Sequence, residues 1–161
     1  KNYFPISKYA GELLSVPYES MFRVVKLRYF TPYGPHQAGR LIPDLITRVG
    51  SGQPVSLPAT GDGLAFMATY QDDAVRVAER ALLEDWKGTF NVASPEVLTI
   101  RSVAESIAAA TGKRANFERS SAAPTYQLLP DVSRLESHFA NSPFVTFKDG
   151  LAATLAAGKP V

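Results

Sequence analysis

The segment Phe22–Phe30, FRVVKLRYF, runs directly into TPYGP at residues 31–35, and this junction decides the fold class. The first segment is rich in β-branched and aromatic side chains, which predicts a strand. The Pro- and Gly-rich segment that follows is typical of a turn that ends a strand. Upstream, Pro5 suits the first turn of a helix, and apolar residues recur on one face as far as Leu14. A helix followed by a strand is therefore predicted at the beginning of the chain.

Further along the chain, helical and strand-like periodicities alternate. Thr99 is a suitable N-cap, Gly112 a suitable helix end, and Asp131 a second N-cap. The alternation predicts an α/β fold with parallel strand pairings. Helices are predicted over residues 5–14, 41–50, 72–85, 100–112, 132–140 and 147–158, strands over 54–58, 65–70, 88–94 and 115–120, and a long loop over 119–130.

Composition excludes several classes of function. The net charge is +2 and the basic residues form no cluster, which argues against nucleic-acid binding. The chain has no cysteine, no apolar run long enough to span a membrane and no signal peptide, which fits a cytoplasmic protein. His36 and His138 are too far apart in sequence to predict a zinc site. The paired glycines near residues 50 and 61 are expected to be turns, because neither pair continues as a dinucleotide-binding fingerprint.

The order of short motifs resembles a known family. The motifs are SKYAGE, LRYFTPYGPH, LIPDLI, GQPVSL, GDG, YQDDAV, GTFNVAS, LTIRSVAESI and LPDVSRLESHF. They follow one another as in the extended short-chain dehydrogenase/reductases, and most closely as in the C-terminal half of the NAD-dependent sugar-nucleotide epimerases and dehydratases. The stretch RYFTPYGPH is similar to the corresponding part of UDP-glucose 4-epimerases.

The resemblance implies a fold and a set of partners. Residues 1–36 and 71–95 would be the last elements of a Rossmann-like domain, and residues 37–70 and 96–161 a smaller α/β substrate-binding lobe. The cofactor would be NAD or NADP, although the glycine-rich loop that binds it belongs to the N-terminal half and is not in this chain. A nucleotide-sugar substrate, a homodimer or a pairing with the N-terminal half, and a cytoplasmic location are also implied.

Lys8 is the lysine that the family places four residues after its catalytic tyrosine. An offset of four puts both side chains on one helical face, and a nearby ammonium lowers the pKa of a tyrosine enough for acid/base work. The resemblance gives Lys8 this role and a contact with the nicotinamide ribose. Without it, Lys8 would be a solvated lysine of an amphipathic helix.

Phe4 stands at the position of the catalytic tyrosine. It has no ionisable proton, so either a natural inactive member or a deliberate Tyr→Phe substitution would read this way. Tyr3 lies five residues before Lys8, about 140° around an ideal helix. It could replace the missing group only if the chain is not yet helical at that point, and Phe4 filling the tyrosine position is the favoured interpretation.

Four further residues are candidates by the same resemblance. Tyr29 and Phe30 would line the nicotinamide, or else be core aromatics. Thr31 stands where the 4-epimerases usually have asparagine and would donate a hydrogen bond to a nucleotide phosphate. The family often has an arginine shortly after GDG that binds the diphosphate, but this chain has Phe66 there. Arg119 is therefore the candidate for the diphosphate contact. Alternatively, Arg119 is an exposed loop arginine with no such role.

Two functions are therefore expected. The first is the sugar-nucleotide-binding half of an NAD(P)-dependent epimerase, dehydratase or reductase, inactive by itself. The second is a non-catalytic family member, with a binding or regulatory role, that lost the catalytic tyrosine at Phe4. A stable proteolytic piece with no function of its own is a third and weaker hypothesis.

Overall fold

The computed structural model describes residues 3–121, 123, 126–139 and 143–158 and has the predicted mixed α/β architecture. Within these ranges no helix is both long and apolar enough to cross a lipid bilayer. The helices are α1 (Phe4–Ser15), α2 (Leu41–Gly50), α3 (Gln71–Leu83), α4 (Ile100–Thr111), α5 (Ser133–Phe139) and α6 (Phe147–Ala156), and a 3-10 helix spans Val16–Ser20. The strands are β1 (Val25–Tyr29), β2 (Pro32–Tyr33), β3 (Val55–Leu57), β4 (Ala65–Met67), β5 (Thr69–Tyr70), β6 (Gly88–Val92), β7 (Val97–Thr99), β8 (Phe117–Arg119) and β9 (Gln127–Leu128).

Strands β1 and β6 form a parallel pair in which Leu27 lies opposite Phe90. Parallel strands need a long crossover connection, and the segment between them includes α3. One face of this pair carries an apolar cluster to which α3 and α5 also contribute. The buried members of the cluster are Val77, Ala81, Trp86, Phe90, Val92, Leu135 and Phe139.

A second and larger core lies among the remaining elements. Helix α2 buries Ile42, Leu45 and Val49, and α4 buries Ile100, Val103, Ala104 and Ile107. These faces pack together with three small sheets. The sheets are the parallel pairs β2–β5 and β3–β8 and the three-stranded sheet β7–β4–β9.

The predicted helix caps at Thr99, Gly112 and Asp131 are confirmed. The Thr99 hydroxyl accepts the Ser102 N–H, and Gly112 ends α4 with φ of 65°. Asp131 accepts the Ser133 N–H over 2.9 Å at the start of α5. These capping groups satisfy backbone donors and acceptors that the helix itself leaves unpaired.

The single strand predicted over residues 65–70 is wrong in one respect, because the chain changes partner at Ala68. Strand β4 before it pairs with β7 and β9, whereas β5 after it pairs with β2. The Ala68 carbonyl instead accepts the Ser94 N–H over 2.9 Å. In the predicted loop over 119–130, β8 ends at Arg119 and β9 forms at Gln127–Leu128; residues 122, 124 and 125 lie outside the described part.

Helix α6 is seated on the core by hydrogen bonds at its beginning. A Glu96 carboxylate oxygen accepts the Phe147 N–H over 2.8 Å, and buried Asp73 accepts the Val145 N–H over 3.0 Å. The aromatic rings of Tyr33 and Phe147 have centroids 5.4 Å apart. This arrangement brings the Tyr33 hydroxyl against Gly150.

We expect Gly150→Ala to destabilise the fold by about 1–3 kcal/mol, because a methyl group there would overlap the Tyr33 hydroxyl and press on the Tyr70 ring. Urea unfolding measures the loss. Gly50→Ala is the matched control, since no atom lies within 4 Å of a Cβ at Gly50. Equal stability changes in the two variants would contradict the proposed packing of α6.

Candidate active site

Phe4 and Lys8 lie on the same face of α1. The Lys8 Nζ is 5.3 Å from the centroid of the Phe4 ring, a cation–π contact. Helix α1 begins at Phe4 with Pro5 in its first turn, and Tyr3 is the N-cap residue. The aromatic ring in contact with the lysine is therefore that of Phe4, and a role for Tyr3 as an acid/base group stays a prediction.

Ion pairs connect the α1 segment to β1. Arg28 Nε and Nη2 donate to the two carboxylate oxygens of Glu12 over 2.8 and 2.5 Å. Further along the chain, Lys26 Nζ donates to Glu19 over 2.5 Å. The two ion pairs therefore occur in opposite order along the two segments: Glu12 precedes Glu19, whereas Arg28, the partner of Glu12, follows Lys26.

Lys8 precedes Glu12 by one helical turn, which corresponds to about 6 Å along the helix axis. Glu12 is itself paired with Arg28, the next-to-last residue of β1. In α/β sheets, ligands bind outside the carboxyl ends of the strands.

The strand ends themselves are fastened by Thr69. Its buried hydroxyl oxygen lies 2.9 Å from the Phe30 carbonyl oxygen and 2.8 Å from that of Val92, so its single proton is shared between β1 and β6. The Phe30 N–H also donates to Val92 over 3.0 Å. Phe30, half-buried, is therefore held at the carboxyl end of β1.

Tyr29 has a different environment. Its hydroxyl donates to the Ala74 carbonyl of α3 over 3.1 Å, and partial burial raises the pKa of the phenol. Helix α3 packs on the face of the sheet that bears Leu27, whereas the side chain of Arg28 meets α1. Tyr29 and Arg28 thus occupy opposite faces, as their alternation along a strand requires.

Thr31 has a left-handed backbone conformation. Its φ is 37°, and its carbonyl accepts the Thr69 N–H over 3.3 Å. A β-branched residue at positive φ is a genuine outlier, whereas asparagine is enriched there. This conformation accounts physically for an asparagine at the equivalent position in the proteins that the sequence resembles.

Arg119 is the last residue of β8, whereas Thr31 lies in the turn between β1 and β2. Its Nη1 donates to the Pro58 and Gly61 carbonyls over 2.8 and 2.7 Å, so the guanidinium is fixed against the loop between β3 and β4. Arg101 joins the same loop through Asp62 over 2.7 Å. Phe66, at the position of the expected arginine, is fully buried in the core.

Glu12, Arg28 and Thr69 are site residues that the sequence interpretation missed. The signal for the ion pair was present, since β1 reads VKLRY and puts both cations on one face. Two glutamates seven residues apart, Glu12 and Glu19, precede it. Thr69 carries no local signal, because its partners lie 39 and 23 residues away.

Of the two histidines, His138 is an aromatic packing residue. Its ring centroid lies 5.1 Å from both the Trp86 and the Phe90 rings, edge to face. Its Nδ1 is 3.0 Å from the Arg134 carbonyl oxygen. Among the described residues no cluster of three or more metal-ligating side chains is present.

With this geometry established, comparison with known proteins identifies the family. Residues 1–93 match the NAD-dependent epimerase/dehydratase family, to which the chain belongs. No curated protein matches the chain significantly.

Solved structures of that class have the same fold. UDP-glucose 4-epimerase of Thermus thermophilus, in complex with NAD, is 26% identical with a TM-score of 0.75, and the match covers 91% of this chain and 50% of that one. UDP-glucuronic acid 4-epimerase of Bacillus cereus with NAD is 26% identical with a TM-score of 0.81, covering 97% and 52%. A Tyr→Phe variant of the Bacillus cereus enzyme, with UDP-4-deoxy-4-fluoro-glucuronic acid and NAD, is 28% identical with a TM-score of 0.80, covering 96% and 51%. The chain therefore spans about half the length of the structures it matches.

We expect Thr31→Asn to raise the free energy of unfolding by about 1 kcal/mol, because asparagine adopts the left-handed conformation at lower cost. Thermal and urea unfolding of the chain measure the gain. Thr31→Val is the control, since it removes the hydroxyl but keeps the β-branch and should bring no gain. An equal rise in both variants would show that backbone strain is not the cause.

Proposed function

We propose that the chain is the C-terminal, sugar-nucleotide-binding half of an NAD(P)-dependent epimerase, dehydratase or reductase in which Phe4 replaces the acid/base tyrosine. The observation that carries this proposal is the Phe4–Lys8 contact on α1. The pairing of Glu12, one helical turn after Lys8, with Arg28 near the carboxyl end of β1 supports it, because ligands of α/β sheets bind outside that end of the strands. Membership of the epimerase/dehydratase family supports the reaction class.

The residues present fit one end of the dinucleotide. Lys8 is exposed, and its ammonium would donate to the ribose hydroxyls, while Phe30 and Tyr29 lie at the carboxyl end of β1. When bound, the nicotinamide would supply a hydride acceptor for a sugar carbon. The pyrophosphate would be held by a glycine-rich loop, and no such motif occurs among these 161 residues. NAD and NADP are both compatible with the residues of this chain.

Proton transfer is the step that this chain does not support. An acid/base group must hold and release the proton of the reacting hydroxyl, and the Phe4 ring, which makes a cation–π contact with Lys8, has no ionisable proton. The Tyr→Phe variant of the Bacillus cereus enzyme was solved with both NAD and a sugar nucleotide. Ligand binding without full acid/base chemistry is therefore compatible with this scaffold.

This separation favours the second candidate function, a non-catalytic member that binds its ligands in a regulatory role. The nucleotide-sugar diphosphate would meet Thr31 and Arg119. The guanidinium of Arg119 is oriented by its two carbonyl partners, and planar donors of this kind suit phosphate oxygens. A cytoplasmic location is part of the same proposal.

The proposed partner is the N-terminal half of the fold or a second copy of the chain. No residue of α1 or of the following 3-10 helix is buried. Large exposed apolar side chains on this segment are atypical of a surface that faces only water. They are Phe4, Ile6, Tyr9, Leu13, Leu14, Val16 and Tyr18.

We expect Phe4→Tyr to restore turnover of a UDP-sugar in the chain joined to an N-terminal half of this family, with a gain of at least about 100-fold, the usual contribution of a general acid or base. Product chromatography measures turnover, and calorimetric titration with NAD should give the same affinity before and after the substitution.

Tyr3→Phe is the matched control for this experiment and should leave turnover unchanged. A loss of activity in that variant would assign the base to Tyr3. No gain from Phe4→Tyr, with NAD still bound, would contradict the loss of a single proton-transfer group and favour the non-catalytic function.

A further inference from the structure

The two faces of β1 hold their neighbouring helices by different interactions. Val25 and Leu27 pack with α3 and α5 in an apolar cluster. Lys26 and Arg28 point to the other face, where both are paired with glutamates of the α1 segment. Strands of a parallel sheet are normally apolar on both faces, so the charged face of β1 is unusual.

Apolar burial does not fix α1 on this face. Among the described residues, none in Phe4–Ser20 is buried, whereas α2 buries Ile42, Leu45 and Val49. The ion pairs from Glu12 and Glu19 are the side-chain links between this segment and β1 that the hydrogen bonds show. Their geometry therefore sets the register of the helix against the strand.

The two pairs differ in their ability to orient a helix. Arg28 engages both oxygens of Glu12 through two nitrogens, a bidentate geometry that fixes direction as well as distance. Lys26 reaches a single oxygen of Glu19 as a point charge. The guanidinium lowers the pKa of the Glu12 carboxyl, and the carboxylate raises the pKa of Arg28, both chiefly through the hydrogen bond.

We propose that Glu12 and Arg28 are positioning residues for Lys8. Glu12 and Lys8 are four residues apart on one face of α1, so the rotation of the helix about its axis that satisfies Arg28 also fixes the direction of the Lys8 side chain. The contribution of Lys8 to cofactor binding rests on the proposed function; the orientation of α1 by the pair does not.

The pair is exposed enough to be sensitive to salt. The side chain of Arg28 is 47% exposed and that of Glu12 is 24% exposed, and ion pairs of this kind are screened as ionic strength rises. Helix α1 should therefore loosen in high salt while α2, held by apolar packing, does not.

The test uses spin labels, since the chain has no cysteine of its own. Labels at Lys8→Cys and Lys113→Cys report the position of α1 relative to the end of α4 through a pulsed-EPR distance distribution. We expect a narrow distribution at low salt. Glu12→Gln should broaden it at least twofold, and so should Arg28→Lys, because an ammonium cannot make the bidentate contact.

Glu19→Gln is the matched control, because it removes the other ion pair of the same segment and should leave the distribution at position 8 narrow. The exchanged pair, Glu12→Arg with Arg28→Glu, should restore the narrow distance distribution that Glu12→Gln loses. In label-free Glu12→Gln, amide hydrogen exchange should be at least fivefold faster in α1 than in the parent chain and unchanged in α2. Unchanged widths in Glu12→Gln, equal broadening in Glu19→Gln, or no recovery in the exchanged pair would each overturn the proposal.

Titration with NADH of the chain joined to an N-terminal half separates this proposal from the proposed function. If both hold, Glu12→Gln weakens NADH binding at least fivefold while Glu19→Gln does not. If the parent protein fails to bind NADH but the label distances behave as expected, the proposed function fails and the orientation of α1 by Glu12 and Arg28 stands.

Discussion

The buried hydroxyl of Thr69 is the interaction on which the arrangement of the site depends. It lies between the carbonyl oxygens that follow β1 and end β6, while its own N–H donates to Thr31. A hydroxyl buried at such a point must be hydrogen-bonded, because an unsatisfied polar group in the core is costly. Thr69 also begins β5, which leads directly into α3. One side chain therefore joins the parallel pair, the strained turn at Thr31 and the crossover helix.

Two parts of the molecule are held in place by different interactions and are expected to differ in stability. The elements around α2 and α4 are held by a large apolar core, whereas α1 contacts β1 through charged side chains. Regions with few buried apolar contacts are those that open most readily. The helix that carries Lys8 is thus the least buried part of the site. Such an element gains order when a further surface covers it, which is consistent with a chain that spans about half the length of its structural relatives.

The sequence predicted the parts of this molecule that are determined locally. Five helices of ten or more residues and the caps at Thr99 and Gly112 follow from periodicity and from side chains close in sequence. The contact of Phe4 with Lys8 was foreseeable because an offset of four residues fixes it within one helix. The strands β2, β5, β7 and β9 have two or three residues each, too few to show a period, so their pairings depend on tertiary contacts. The anchoring of Arg119 by carbonyls about sixty residues away is non-local in the same sense.

The interpretation of Phe4 depends on the difference between packing and proton transfer. A phenylalanine ring keeps the shape of a tyrosine and still presents a π face to the ammonium of Lys8. In the proposed function the two residues differ by one hydroxyl, which would carry the proton relay, whereas the cation proposed to hold a ribose is present in both cases. Binding and chemistry would then be separable by a single oxygen atom. Because Glu12 links α1 to β1 and both aromatic residues present a π face to the ammonium, the proposed binding role of Lys8 is compatible with either of them at residue 4.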